Sequence, residues 1–306
     1  MSYAIDKAFF PFSLFAPPIR NARMAGMMNG FIRPPAGLLR NKEIAVTEEF
    51  VLCKDGTEIP VFVMQPRNTQ TDNCLVYLHG GGFFFDAAQY HYKNAMQYCL
   101  QTPCKVIFVR YRLTPKHPFP IPAEDCFAAW LWTHKNADRL GISKNKIAVG
   151  GDSAGGALAA AVTLMARDRK APSPLFQLLV HPVTDRRMQT QSHKDFSDTP
   201  MWNSKLNVKM WDGYLPDKTA ENIGYASPME AASFEGLPPA FVETAQFDCL
   251  HDEGLAYAAA LQSAGVAVTI NETKGTMHGY DIAQNAPVTK ASLAKRIQFM
   301  KNSFEG

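Results

Sequence analysis

Ser153 is the residue whose surroundings most strongly suggest chemistry. It lies in the segment Gly151-Asp152-Ser153-Ala154-Gly155, between a short apolar run typical of a strand and an alanine-rich run typical of a helix. In a Gly-x-Ser-x-Gly turn of this kind the serine backbone is strained, so that Oγ is exposed as a nucleophile. The unpaired N–H groups at the start of the helix would stabilise negative charge on a reacting carbonyl oxygen. The alternative is a tight glycine-rich turn with an ordinary serine, and other residues decide between the two.

A serine nucleophile needs a general base, and the base needs a carboxylate that orients it. His278 is the candidate base, because it follows the last predicted strand, precedes the final predicted helix and has glycines beside it. None of the other seven histidines has this position. Asp248 is the candidate acid, just after the strand predicted for residues 240–245. Asp252 is its rival, but it fits better in the first turn of a helix, where negative charge is favourable.

A second glycine-rich segment, His79-Gly80-Gly81-Gly82, follows an apolar run typical of a buried strand. Its glycines would let the backbone approach a substrate closely. We therefore expect one or two of its N–H groups to bind a developing oxyanion, together with the N–H of Ala154. A phosphate-binding loop is the alternative. However, no lysine or Ser/Thr follows at the spacing of a P-loop, and the dinucleotide-binding fingerprint is absent.

The composition describes a core-forming globular chain. Of the 306 residues, 46% are hydrophobic and 19% are charged. The formal net charge is only +3 and no basic run occurs, so nucleic acid is not an expected partner. No apolar run approaches the ~18 residues of a transmembrane helix, so we expect no membrane partner. The aromatic N-terminal segment superficially resembles a signal peptide, but prolines interrupt it, and we interpret it as mature structure.

The six cysteines show no close pairing of the kind that binds metals, so no metal site is predicted. Cys74 and Cys126 lie in apolar surroundings and are expected to be buried thiols. This pattern suits a reducing cytoplasm, where we expect the protein to act.

Predicted strands and helices alternate along most of the chain. The alternation predicts an α/β protein whose mostly parallel central sheet, of about eight strands, is covered by helices on both faces. We expect residues 1–306 to form a single domain. Within it, about residues 1–40 and an irregular stretch at about residues 186–225 are predicted to pack together as a helical cap. The cap would cover the carboxyl ends of the strands, where open α/β sheets place their sites.

Several segments together resemble one known family, the hormone-sensitive-lipase-like carboxylesterases, which form the bacterial acetyl-esterase group of the α/β-hydrolase superfamily. The resemblance covers roughly residues 45–300. Its main motifs are His79-Gly80-Gly81-Gly82-Phe83, Tyr111-Arg112-Leu113-Thr114-Pro115, Gly151-Asp152-Ser153-Ala154-Gly155-Gly156, Phe247-Asp248-Cys249-Leu250 and Met277-His278-Gly279-Tyr280.

The resemblance implies the α/β-hydrolase fold, a helical cap and no cofactor. It implies that three residues form a catalytic triad: Ser153 as nucleophile, Asp248 as acid and His278 as base. It implies that three backbone N–H groups form the oxyanion hole, those of Gly81, Gly82 and Ala154.

The sequence also departs from the family. Cys249 stands where the family usually has proline, and His181 stands where it often has tyrosine. Because Cys249 is next to the acid, it would make the site sensitive to thiol reagents. Phe84 and the phenylalanine after it are bulkier than expected, so we predict a narrow pocket that favours short acyl groups. We expect Phe83, Phe84 and Trp202 to bind the substrate.

These observations predict a serine carboxylesterase that hydrolyses short-chain, acetyl-like esters through an acyl-enzyme. Its partner would be a small-molecule ester. A lipase, an amidase such as a formamidase, or a carbamate hydrolase could use the same triad, and a non-catalytic ligand-binding receptor could use the same fold. The sequence leaves a homodimer open.

Overall fold

A computed structural model describes residues 3–12, 24, 29, 32, 34–35, 37 and 40–306. The N-terminal part of the predicted cap therefore lies mostly outside the described residues. Its first part is a 3-10 helix, Lys7–Phe12, in which Phe9 is buried and packs edge-on against Tyr280. None of the helices in the described part of the chain is long and apolar enough to cross a membrane.

The described strands form one eight-stranded sheet in the order β1-β2-β4-β3-β5-β6-β7-β8. β1 pairs antiparallel with β2 and β2 with β4, whereas all the other pairs are parallel. This confirms the predicted, mostly parallel sheet. The strands are β1 Ile44–Leu52, β2 Glu58–Pro66, β3 Cys74–Leu78, β4 Lys105–Val109, β5 Ile147–Asp152, β6 Gln177–Val180, β7 Ala240–Phe247 and β8 Val268–Met277.

Helices cover the sheet on both faces, as predicted. The described α-helices are α1 Gln89–Gln101, α2 Ile121–Lys135, α3 Ala137–Leu140, α4 Ala154–Asp168, α5 Gln191–Asp195, α6 Ser204–Tyr214, α7 His251–Ser263 and α8 Pro287–Glu305. Because side chains alternate along a strand, β3 sends Cys74, Val76 and Leu78 into one hydrophobic core and Leu75 and Tyr77 into the other. The first core includes residues of α2, α4, α6 and α7, and the second includes residues of α1 and α8.

Two stretches differ from the sequence prediction. The alternation from Val266 to Ile270 predicts a strand that ends at Ile270, but β8 continues to Met277. Its later part alternates exposed polar residues with buried ones at the edge of the sheet, so it has no apolar run to recognise. The stretch at 186–225, in which no period was visible, contains the short helices α5 and α6. These helices have only 5 and 11 residues, which gives too few turns for a period of 3.6 to be recognised.

A buried ion network joins the C-terminal helix to the sheet. Arg296 lies on α8, where its Nε donates to Glu243 Oε2 on β7 at 3.0 Å and its Nη1 donates to Asp281 Oδ2 at 2.9 Å. All three side chains are almost completely buried. Tyr280 and Ser292 donate further hydrogen bonds to Glu243. Burial alone would raise the pKa of Glu243, but the charge of Arg296 and these hydrogen bonds lower it to about 2. The network fixes the chain directly after β8.

The depressed pKa of Glu243 predicts a pH-dependent stability. The unfolded carboxylate binds a proton near pH 4.5, whereas the folded one stays ionised down to about 2, so stability is lost as the pH falls through this window. We expect Glu243→Gln to destabilise the protein and to lower the slope of unfolding free energy against pH by up to about 1.4 kcal/mol per pH unit. Urea unfolding between pH 5 and pH 3 measures the slope.

The variant Glu272→Gln, which removes a half-exposed carboxylate from β8, controls for the loss of one charge. Equal slopes of unfolding free energy against pH in the wild type and in Glu243→Gln would contradict the assigned ion network.

Candidate active site

Ser153 lies at the sharp turn between β5 and α4. Its backbone has φ 54° and ψ −119°, a conformation that residues with a side chain rarely adopt. The glycines on either side permit the turn. A Cβ at Gly151 or Gly155 would lie only 2.4 or 2.0 Å from the carbonyl oxygen of Leu78 on β3. The turn therefore holds the serine directly against the end of the neighbouring strand.

Three side chains from three turns form a hydrogen-bonded line. His278 Nε2 lies 2.8 Å from Ser153 Oγ, and His278 Nδ1 lies 2.6 Å from Asp248 Oδ2. Ser153 and His278 are 5% and 6% exposed, and Asp248 is completely buried. With its proton on Nδ1, facing Asp248, the imidazole offers Nε2 as an acceptor to the serine hydroxyl. This is the arrangement that activates a serine nucleophile.

The carboxylate of Asp248 is held in its ionised form. It follows β7, and its Oδ1 accepts a hydrogen bond from the N–H of Leu250 at 3.0 Å. Burial alone would raise the pKa of Asp248, but the adjacent His278 outweighs burial and holds the pKa below its usual value. An ionised carboxylate at this position can orient the imidazole through the hydrogen bond to Nδ1.

Asp252 has other partners. It lies in the first turn of α7, as the sequence predicts, and its Oδ2 accepts a hydrogen bond from the N–H of Ser192 at 2.8 Å. Its Oδ1 lies 2.8 Å from Nδ1 of His251. The structure therefore brings Asp248, and not Asp252, to His278.

The glycine-rich loop after β3 lies next to the turn that holds Ser153. Gly81 and Gly82 have φ values of 118° and 58°, which only glycine adopts without strain. A Cβ at Gly81 would also lie 2.6 Å from the carbonyl oxygen of Phe85. Among the described residues, the N–H groups of Gly81, Gly82 and Ala154 donate to no acceptor. They are available to bind a ligand oxygen.

Asp152 connects this loop to the serine turn, a role that sequence reasoning missed. Its buried Oδ1 accepts hydrogen bonds from Gly80 N–H at 3.2 Å and from the hydroxyl of Tyr77 at 2.6 Å. Its Oδ2 lies 3.1 Å from Nε2 of His91. Because Asp152 directly precedes Ser153, one carboxylate fixes the serine and the loop relative to each other. In the sequence it is only a variable position of Gly-x-Ser-x-Gly.

Of the three predicted substrate-binding residues, Trp202 lies beside His278. Its ring centroid is 6.1 Å from that of His278, and a Cβ at Gly82 would lie 2.6 Å from its ring. Phe83 and Phe84 are completely buried, and Phe83 stacks on Tyr214 of α6 with a centroid distance of 3.6 Å. The 186–225 stretch thus contacts the glycine-rich loop through both Trp202 and Tyr214.

The described residues contain no group of three or more His, Cys, Asp or Glu side chains that could hold a metal ion. Cys249, beside Asp248, is completely buried, and burial raises the pKa of its thiol well above the usual value. A buried, protonated thiol reacts slowly with thiol reagents, so the structure argues against the predicted sensitivity.

Comparison with known proteins agrees with this geometry. The alpha/beta hydrolase fold family matches residues 75–282. The chain belongs to the alpha/beta hydrolase fold family. The carboxylesterase NlhH of Mycobacterium tuberculosis is similar to this hydrolase, with 35% identity over 255 residues, 81% of this chain and 79% of that protein. An ethyl acetate hydrolase of Pseudomonas putida is 30% identical over 239 residues, 77% of this chain and 75% of that protein.

A solved structure of a bacterial heroin esterase superposes on this hydrolase with a TM-score of 0.89. The two are 31% identical, and the superposition covers 99% of each chain. These similarities confirm the predicted fold and the resemblance to the hormone-sensitive-lipase-like carboxylesterases.

A pair of variants separates the two candidate acids of this hydrolase. We expect Asp248→Asn to lower kcat on p-nitrophenyl acetate by about 10⁴-fold, because an amide cannot hold His278 in the correct tautomer or stabilise its charge. Asp252→Asn, which alters contacts with Ser192 and His251, should cause a much smaller loss. The reverse ranking would assign the role of the acid to Asp252.

Proposed function

We propose that this carboxylic ester hydrolase is a serine esterase that cleaves short-chain, acetyl-like esters of small molecules through an acyl-enzyme. The observation that carries the proposal is the buried line of hydrogen bonds from Ser153 through His278 to Asp248. The complete triad argues against a non-catalytic receptor on the same fold.

In the first half of the reaction, Ser153 Oγ attacks the ester carbonyl carbon while His278 Nε2 accepts the hydroxyl proton. The carbonyl oxygen becomes an oxyanion in the tetrahedral intermediate. When the intermediate collapses, the bond to the alcohol breaks and His278 donates its proton to the departing alcohol. The acyl group remains on Ser153. Asp248 keeps the imidazole in its tautomer and stabilises its positive charge.

In the second half, a water molecule attacks the acyl carbon and His278 accepts its proton. The second tetrahedral intermediate then collapses, and His278 returns the proton to Ser153 Oγ. The carboxylic acid leaves, and the enzyme is restored. No cofactor is needed, because proton transfer and charge stabilisation are sufficient for acyl transfer.

The oxyanion in both halves would bind to the N–H groups of Gly81, Gly82 and Ala154. Ala154 is the first residue of α4, where the helix dipole adds favourable positive potential. Donors of this kind each lower the barrier by roughly 3–4 kcal/mol, because they are fixed before charge develops. The buried hydrogen bond from Gly80 to Asp152 supports such fixed geometry.

A preference for short acyl groups follows from the aromatic residues around the glycine-rich loop. Trp202 covers Gly82, and Phe83 and Phe84, which directly follow the glycines of the loop, are completely buried. The similarity to an ethyl acetate hydrolase supports the same preference. We expect the ring of Trp202, which lies against both Gly82 and His278, to limit the length of the acyl group.

The chain is proposed to be one domain whose cap is built from its N-terminal segment and the 186–225 stretch. Among the described residues, Tyr3 supports this arrangement, since its hydroxyl donates to the carbonyl of Asp195 at 3.2 Å and its ring lies 5.7 Å from that of Phe196. All six cysteines are free and buried, which suits action in the cytoplasm.

Initial rates on p-nitrophenyl esters of increasing acyl length test the proposal. We expect the wild type to prefer acetate or butyrate, and Ser153→Ala to lose on the order of 10⁶-fold in kcat, because the nucleophile is absent. Circular dichroism checks that the variant is folded. An optimum at about eight or more acyl carbons would contradict the short-chain preference, and a fully active Ser153→Ala would contradict the mechanism.

A further inference from the structure

His91 is a buried histidine in the first turn of α1 that the proposed mechanism does not use. Only 2% of the residue is exposed, and its ring packs against that of Tyr90 with a centroid distance of 3.9 Å. Its Nδ1 accepts a hydrogen bond at 2.9 Å from the N–H of Ala88, the residue directly before α1. A ring nitrogen that accepts an N–H carries no proton, so the proton of this imidazole lies on Nε2.

The Nε2–H group of His91 is thereby fixed as a donor toward Asp152. Nε2 lies 3.1 Å from Asp152 Oδ2, and both side chains are almost completely buried. Among the described residues, Oδ2 accepts from no other donor, whereas Oδ1 accepts from Tyr77 and Gly80. The carboxylate thus joins three segments of the chain: α1 through His91, β3 through Tyr77 and the glycine-rich loop through Gly80.

Asp152 is the residue through which this contact can affect the reaction. It directly precedes Ser153, and it holds Gly80, which directly precedes two of the proposed oxyanion donors. The side-chain χ2 torsion of an aspartate has a broad energy minimum, so donors on one oxygen alone would leave the carboxylate free to rotate. A Cβ at Gly80 would lie only 2.4 Å from Oδ2, so a rotated carboxylate would move the loop.

We propose that His91 is a positioning residue of the esterase reaction, which acts through Asp152 to hold the glycine-rich loop at the position that the oxyanion donors need. The inference rests on the proposed function and adds a residue to it. Misplacing a group by about 1 Å can cost about 10²-fold in rate, and the loss of one oxyanion donor costs about 10²–10³-fold. Because the oxyanion exists only after the substrate has bound, kcat and kcat/KM should fall together.

Two amide variants separate the two hydrogen bonds of the His91 ring. The amide of asparagine reaches the position of Nδ1, so His91→Asn keeps an acceptor for the N–H of Ala88 but does not reach Asp152. The longer side chain of glutamine places its amide nitrogen near the position of Nε2, so His91→Gln keeps the donor to Asp152 and loses the acceptor for Ala88. Urea unfolding reports the stability of both variants.

We expect His91→Asn to lower kcat on p-nitrophenyl acetate by about tenfold to a hundredfold, with KM within about twofold of the wild-type value. His91→Gln should keep kcat within about threefold of the wild type, since the bond to Asp152 remains. A trifluoromethyl ketone, which forms a hemiketal oxyanion with a serine nucleophile, gives a second readout. Its inhibition constant should rise in His91→Asn by about the factor by which kcat falls.

The matched control is His134→Asn. His134 is a buried histidine of α2 whose ring packs on Trp130, and no described hydrogen bond joins it to Asp152. The variant may lose stability, but it should keep the wild-type kcat and inhibition constant. If His91→Asn does not fold, His91→Leu replaces it, because leucine fills a similar volume and has no donor.

Three results would overturn the inference while the esterase function stands. The first is a wild-type kcat and inhibition constant in His91→Asn. The second is a fall of kcat in His91→Gln that equals or exceeds the fall in His91→Asn, which would mean that the bond to Ala88 or the ring itself matters. The third is a rise of KM at constant kcat. If the wild type does not hydrolyse p-nitrophenyl acetate, the proposed function fails together with the inference.

Discussion

The close approach of the serine turn to the end of β3 is the constraint on which the rest of the site depends. Only glycines at 151 and 155 let α4 begin against the carbonyl of Leu78. That contact brings the strained Ser153 and the glycine-rich loop after β3 to one point, and the carboxylate of Asp152 fixes them there. The proposed nucleophile and the proposed oxyanion donors are therefore positioned by backbone packing, before any substrate binds.

The other two residues of the proposed triad follow β7 and β8, at one edge of the sheet. β7 and β8 are parallel neighbours, so their carboxyl ends present Asp248 and His278 side by side. The buried pairing of Glu243 with Arg296 anchors β7 to the C-terminal helix, and Tyr280, two residues after His278, joins the same network. Breaking a buried ion pair is strongly destabilising, so the position of His278 is linked to the stability of this network.

The sequence was sufficient to predict the sheet, and it singled out the three residues Ser153, Asp248 and His278 that the structure brings together, because both leave local patterns. The apolar run of β3 and the Gly-x-Ser-x-Gly turn around Ser153 can each be recognised within about ten residues. The contacts of Asp152 with Gly80 and His91 could not be predicted. They join segments that are far apart in the chain, and buried hydrogen bonds between such segments have no periodic signature. The polar, alternating end of β8 was missed for a related reason, since an edge strand lacks a continuous apolar run.

The central claim is that Ser153 carries the acyl group between the two halves of the reaction. Rapid mixing of the wild-type enzyme with excess p-nitrophenyl acetate, acid quenching within the first turnover and mass analysis of the peptides test it most directly. The account predicts one acetyl group, located on the peptide that contains Ser153 and absent from Ser153→Ala. Acetylation of a different residue that forms and decays at the rate of turnover would contradict it.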